Sequence, residues 1–366
     1  MATDQLRVLH LTAADTPAEH LNLLRTVCAI AAATGEHGAI HCGHGPRPAV
    51  ADVPCDRVHA AGPWSPLRSA VLQRALARIG CGAGTPVIFH AWSAHAARWV
   101  LPLTAGHRPL LIQVDPAADL RELAGWATRE NVQFVCASLA TCARLRACGV
   151  PASRVAVIRP ALERLTVEPV ERARARGRLA LRLDDEVILP LPPVARHTGT
   201  LFAAWATFLL EKARPRLRLV LPLGGREAAR VQRLAAACRH EWMVSHVLAD
   251  APLPALLAAA DVAVYLPRRD APPEALCGAR AANCRIVATD VPVVREVLDG
   301  APGVWLCKPD DPADAARKLS AALDSGPPAT PDAAQFPRPP TIGEVVLQYR
   351  QVYTRLATRR PAALPS

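Results

Sequence analysis

The chain has 366 residues, 51% of them hydrophobic and 20% charged, with 35 prolines and no polar low-complexity block. That length and apolar content suffice for two domains with a core each, and they exclude a disordered chain. The formal charge of +11 is written almost wholly in arginine, the only lysines being Lys212, Lys308 and Lys318. Without a basic cluster interleaved with aromatics it reads as a solvated surface, and no nucleic-acid partner is expected.

The opening MATDQLRVLHLTAAD holds one arginine and a short apolar run that reads as a strand, without the apolar region and cleavage site of a signal peptide. No run reaches the roughly 18 apolar residues of a membrane span. Eleven cysteines, with no C-x-x-C pair, fit reduced thiols. Cys136, Cys142 and Cys148 recur every six residues, a spacing that suits neither a zinc knuckle nor one helix face. The expectation is a cytoplasmic protein without metal or cofactor, with peripheral contact to an anionic inner-membrane face left open.

In chain order, β-branched or Leu-rich runs alternate with stretches of helical period: RVLHL, LNLLRTVCAIAAATG, PVIFHAW, PLLIQVD, QFVCAS, LATCARLRACGV and RVAVIRP. Such alternation predicts βαβ units on a parallel sheet. Residues 160–186 break the pattern, and RARARGR within them reads as interdomain linker. A second series follows, from EVILPLP through LRLVLPLGG and DVAVYLP to CRIVATD and VWLCKP. Pro-rich residues 326–340 then lead to a closing amphipathic helix, TIGEVVLQYRQVYTRLAT. The predicted organisation is an acceptor-side domain over 1–165, a linker over 166–183, a donor domain over 184–325, and a connection with closing helix over 326–366. Two such sheets place a ligand at the carboxyl ends of the strands.

Residues 253–300, LPALLAAADVAVYLPRRDAPPEALCGARAANCRIVATDVPVVREVLDG, carry Asp261, Asp270, Ala279, Ala281, the run Ile286–Thr289 and Glu296 in a characteristic register. Together with VCASLATCARLRACGVPASRVAVIRPALE (135–163), they resemble the family-4 retaining glycosyltransferases, glycosyl transferases group 1. The resemblance implies a GT-B α/β fold, with two doubly wound Rossmann-like domains facing a central cleft. It also implies sugar transfer from a nucleotide-diphosphate sugar to an unknown acceptor, with retention and without a metal.

At the site the resemblance implies, this sequence departs from the family in four places. A Gly-Gly turn after the first strand is Thr16-Pro17 here, followed by Glu19 at an acidic position. The Arg and Lys that bracket the first donor-domain loop fall on Pro192 and Thr198, with Gly199 retained; Arg196 and His197 stand close by, either as substitutes on the phosphate or as a solvated pair. The acidic loop keeps Asp270, but Pro272 has no N–H to donate and Pro267 replaces a serine. The glutamate that would hold the ribose is Gly278, and Glu274, one helical turn earlier, either substitutes or faces solvent. Gly224, Gly225 and Arg226 form a glycine turn before a helix, where an anion is a candidate ligand. In the first domain, His90 and His95 are expected to follow a strand and face the cleft, with Asp115 at another strand end. Trp92 and Trp99 are candidates for an acceptor wall or for packing beneath it. Asp270 and His90 are the candidate catalytic residues. The joint losses keep an alternative open: a catalytically inactive GT-B pseudoenzyme that acts as a binding or scaffolding subunit.

Overall fold

The first strand, β1 (Arg7–Ala13), is buried from its second residue to its last, as a strand covered on both faces of a parallel sheet must be. The computed structural model describes residues 7–13, 16, 18–31, 37–42, 55–58, 68–79, 81, 87–104, 108–161, 169–248, 251–326 and 340–358. After β1 come α1 (Ala18–Ala31), β2 (His37–Cys42), β3 (Cys55–Val58), α2 (Arg68–Arg78), β4 (Val87–Ala91) and α3 (Ala94–Val100). They are followed by β5 (Leu110–Gln113), α4 (Leu120–Trp126), β6 (Val132–Cys136), α5 (Leu139–Ala147) and β7 (Val155–Val157). The seven strands form one parallel sheet in the order β3-β2-β1-β4-β5-β6-β7. Ser93, Asp119 and Ser138 start α3, α4 and α5 by accepting first-turn N–H groups, each offsetting one orphan donor.

The second series is α6 (Pro169–Arg178), β8 (Glu186–Pro190), α7 (Thr200–Phe208), β9 (Leu217–Pro222), α8 (Gly225–Cys238) and β10 (Val244–Val247). It continues through α9 (Leu253–Ala259), β11 (Val262–Tyr265), α10 (Glu274–Ala281), β12 (Arg285–Thr289), α11 (Pro292–Leu298), β13 (Val304–Cys307) and α12 (Pro312–Asp324). Its six-stranded parallel sheet runs β10-β9-β8-β11-β12-β13. Strand order reverses between β8 and β11, which marks the switch point where open α/β sheets take ligands.

The chain divides into two compact units, one of residues 1–159 with 341–366 and one of residues 160–340. The last helix, α13 (Ile342–Thr358), therefore returns to the first unit. It buries Val345, Val346, Tyr349, Val352, Tyr353 and Leu356, spaced at three and four residues. Two of its side chains reach the sheet: Tyr349 Oη donates to Gln113 Oε1 at 2.8 Å, and the Tyr353 hydroxyl meets His90 Nδ1 at 2.7 Å.

The stretch expected as linker differs from that expectation. Residues 169–178 are α6, inside the second unit, and Arg176 is 1% exposed. RARARGR reads as solvated because periodicity cannot show that one arginine will meet a carboxylate 85 residues away. No helix among the described residues is long and apolar enough to cross a membrane.

Candidate functional site

At the carboxyl edge of the second sheet, loop 191–199 leaves β8 and enters α7 at Gly199, whose φ is 76°. A Cβ there would lie 1.8 Å from the carbonyl oxygen of Leu266, at the end of β11. The Leu266 N–H in turn donates to the Thr198 carbonyl at 3.2 Å. The loops after β8 and β11 thus touch through backbone, which only glycine permits. Gly199→Ala is expected to cost about 3 kcal/mol or more, since neither the carbonyl nor the φ can relax cheaply. Urea unfolding would show it as a lowered midpoint at unchanged slope.

Thr198, at the position of the expected lysine, is buried and turned into its own loop; its hydroxyl lies 2.8 Å from the Pro193 carbonyl and 2.9 Å from that of Ala195. It stabilises the loop and offers no charge. Arg196 is exposed, and His197 is half-buried and engaged in its surroundings. Gly224 and Gly225 have φ of 121° and 75° and are exposed, as is Arg226; α8 begins there without a side-chain cap.

The loop after β11 is fastened at both ends. Thr289 Oγ1 donates to the Pro267 carbonyl and the buried Tyr265 hydroxyl to that of Pro272, both at 2.6 Å. Asp270 is buried and engaged. Glu274, the first residue of α10, is half-buried and engaged, so the solvent-facing alternative does not hold. Gly278 is buried, and a Cβ on it would stand 2.9 Å from Leu253 Cδ2 of α9. Where the resemblance implies a ribose-holding carboxylate, α10 packs against a leucine.

In the first unit, the Thr16 hydroxyl accepts the Ala13 N–H at 2.8 Å while the Thr16 N–H donates to the Ala13 carbonyl at 3.0 Å. A side chain thus closes the turn that glycines were expected to make. Pro17 lies outside the described residues, as does the side chain of Glu19 in α1. Asp115 follows β5, half-buried, and its Oδ1 accepts the Ala117 N–H at 2.8 Å.

His90 does not follow a strand. It lies within β4, fully buried, held by Tyr353 on Nδ1, while its Nε2 has no hydrogen-bond partner among the described residues. His95 is half-buried in α3. Trp92 and Trp99 are both fully buried, so neither is a wall. The Trp92 indole N–H donates to His10 Nδ1 at 3.1 Å, and His10 Nε2 meets His37 Nδ1 at 2.8 Å. Because indole only donates, neutral His10 carries its proton on Nε2 and donates it in a hydrogen bond to His37 Nδ1. His10, Cys28 and His37 are close enough to suggest a metal triad. A protonated Nε2 has no lone pair for a cation, so the group reads as a hydrogen-bond chain.

Burial lowers all four histidines of this region. His10 and His90 fall well below the ordinary value, each also repelled by neighbouring imidazoles. His37 falls to about 4 with help from Arg350. His20 falls through burial, against the pull of its hydrogen bond to the Trp92 carbonyl and of the Asp115 charge. Sequence reading passed over this cluster because HGAIHC, which forms β2, has weak strand character, and His10 lies inside an apolar run.

Residues 193–325 match the family model described as Glycosyl transferases group 1. No curated protein matches the sequence. Among solved structures, HepE of Anabaena, determined with UDP and glucose, aligns with a TM-score of 0.70 at 15% identity, over 95% of this chain and 95% of that one. The chain has the GT-B fold. Sucrose-phosphate synthase from Thermosynechococcus elongatus aligns with this GT-B chain at 0.70 and 16%, over 96% and 99% of the two chains. A glycosyltransferase from Rickettsia africae aligns at 0.70 and 11%, over 98% and 100%. The residues that match this family model all lie within the second unit. At these identities the structural likeness is one of fold, and chemistry has to be argued from the site.

Proposed function

We propose that the protein transfers a sugar from a nucleotide-diphosphate sugar to an acceptor, with retention and without a metal, using the carboxyl edge of the second sheet to hold the donor. The observation that carries this reading is the joint between Gly199 and Leu266, which ties the loops after β8 and β11 together where strand order reverses. Asp270, buried at the same edge, is the acid closest in sequence to that joint, and Arg196 stands on the loop before it. Developing charge on a departing diphosphate needs preorganised donors, and Arg196 and Arg226 are the retained cations for the task. His90 enters only as a buried support of the first sheet, since its one bonded nitrogen is spent on Tyr353. The cytoplasm is the proposed location, and contact with an anionic membrane remains a secondary proposal.

A second reading, an inactive binding or scaffolding subunit, is favoured by the Leu253 contact at Gly278 and by the spent hydroxyl of Thr198. Incubation of the full chain with UDP-, GDP- and ADP-sugars, monitored by nucleotide release and by calorimetry, separates the two. Release of nucleotide, with retained anomeric configuration in the product, is expected for the transferase. Silence in both measurements at millimolar donor leaves the inactive subunit.

A further inference from the structure

Helix α7 lies between α8 and α12 over one face of the second sheet, where it buries Ala203, Ala204, Ala206, Thr207 and Phe208. Larger side chains point the other way. Trp205 and Leu209 are 46% and 52% exposed, and the half-buried Phe202 stacks on Trp205 with ring centroids 6.5 Å apart. Leu209 extends the row past the helix end, since its N–H still donates to the Trp205 carbonyl at 3.1 Å. The exposed Trp242, by contrast, has the Arg218 guanidinium 5.1 Å from its ring. Single exposed leucines are ordinary, but large apolar side chains at spacings of three and four on one outward row mark a contact surface.

The charges around this row are unbalanced. Of the acids in α8 and α12, Glu227 is taken by Arg230 at 3.2 Å, Asp314 by Arg317 at 3.0 Å and Asp324 by Arg214 at 2.5 Å. Outside those pairs, the described residues of the three helices and the turn 209–214 leave Lys212, Arg226, Arg233 and Lys318 as cations and Glu211 alone as an acid. Lys212 follows Leu209 by three residues, and it and Arg233 are exposed.

A row one helix wide is too narrow for a stable protein interface, which covers about 800 Å² on each partner. A lipid surface asks for less. Tryptophan and leucine anchors that enter the headgroup region suffice when several cations act with them, because long basic side chains lie along the apolar surface and keep their charge at the anionic headgroups.

We propose that the outer face of α7, with Trp205 and Leu209 as anchors and Lys212 and Arg233 beside them, docks the second unit on an anionic lipid bilayer. The inference rests on the membrane contact proposed above and assigns it a face. Co-sedimentation of the full chain with phosphatidylcholine vesicles, with and without phosphatidylglycerol, tests it. Binding is expected to need the anionic lipid and to fall with salt. Trp205→Ser and Leu209→Ser are each expected to weaken it about tenfold. Lys212→Gln and Arg233→Gln are each expected to weaken it about fivefold. Thermal unfolding should be unchanged in all four, since the positions are exposed. Val170→Ser, at an exposed position of α6, which packs against α9, is the control that changes nothing.

Equal binding to phosphatidylcholine alone, or binding unmoved by the glutamine variants, overturns the anionic requirement. Anionic binding that survives both serine variants removes this face and leaves the membrane contact, whereas no binding to anionic vesicles removes both. Self-association of the full chain that Trp205→Ser abolishes assigns the face to a second copy and overturns the lipid. The transferase reading fails separately, because nucleotide release in solution is expected to be the same in Trp205→Ser as in the parent.

Discussion

Asp261→Ala is expected to unfold the second unit or to bring it to the edge of unfolding. The Asp261 carboxylate accepts the Val187 N–H at 2.7 Å and Arg176 Nη2 at 2.7 Å, binds Arg172, and lies 3.5 Å from Arg285 Nη2. Its own N–H donates to the Val187 carbonyl at 2.8 Å, so one residue pins the start of β11 to β8. Arg176 is the sensitive partner. It is buried, and its remaining bonds go to carbonyls, among them Ala259 at 3.1 Å, Leu183 at 2.8 Å and Asp185 at 2.9 Å.

With Asp261 gone, a buried guanidinium would keep neutral acceptors only. Breaking such a pair costs about 3 to 5 kcal/mol, against about 5 to 15 kcal/mol for a whole domain. Arg172→Ala, which removes the more exposed partner, is expected to cost no more than about 1 kcal/mol. Urea unfolding by circular dichroism, with hydrogen exchange read on β8 and β11, checks both. A D261A protein within about 1 kcal/mol of the parent would show that the carboxylate is not the anchor.

Acid is expected to loosen the first unit well before ordinary carboxylate titration would. His37 has a folded value of about 4 against 6.5 when exposed. Between those values the unfolded chain binds the proton that the folded one refuses. The stabilisation from the neutral ring is complete above about pH 6.5 and is lost as pH falls toward 4, a change on the order of 3 kcal/mol from this residue. His10, His20 and His90 are lowered as well and act in the same direction.

The rings lie among β1, β2, β4, α1 and α13, so protonation strikes the place where Tyr353 of α13 meets His90. Hydrogen exchange of α13 and β2, corrected for intrinsic rate, is expected to rise from pH 6.5 to 5 while the second unit holds. His37→Gln should flatten the dependence by about one proton. Equal acid sensitivity of the two units would show that the buried imidazoles do not govern it.

Much of this could be read without coordinates. Runs such as RVLHL and DVAVYLP are apolar throughout because parallel strands are covered on both faces, and their alternation with helical stretches is local information. The losses at Thr16-Pro17, Pro192, Thr198, Pro272 and Gly278 are likewise facts of the sequence, and so is the surplus of arginine. What local pattern could not supply is which side chains spend themselves on one another. RARARGR reads as linker until Arg176 reaches Asp261, and His90 reads as a strand-end residue until α13 brings Tyr353 to it across 263 positions.

The same distinction holds at the candidate site. By itself the sequence determined two α/β halves and which family positions had changed. Only the tertiary structure decided that Thr198 feeds its own loop and that Leu253 fills the side of Gly278. The physical reason is that periodicity records which faces are buried, whereas hydrogen-bond and ion-pair partners are chosen by strand order, which brings distant residues to one edge.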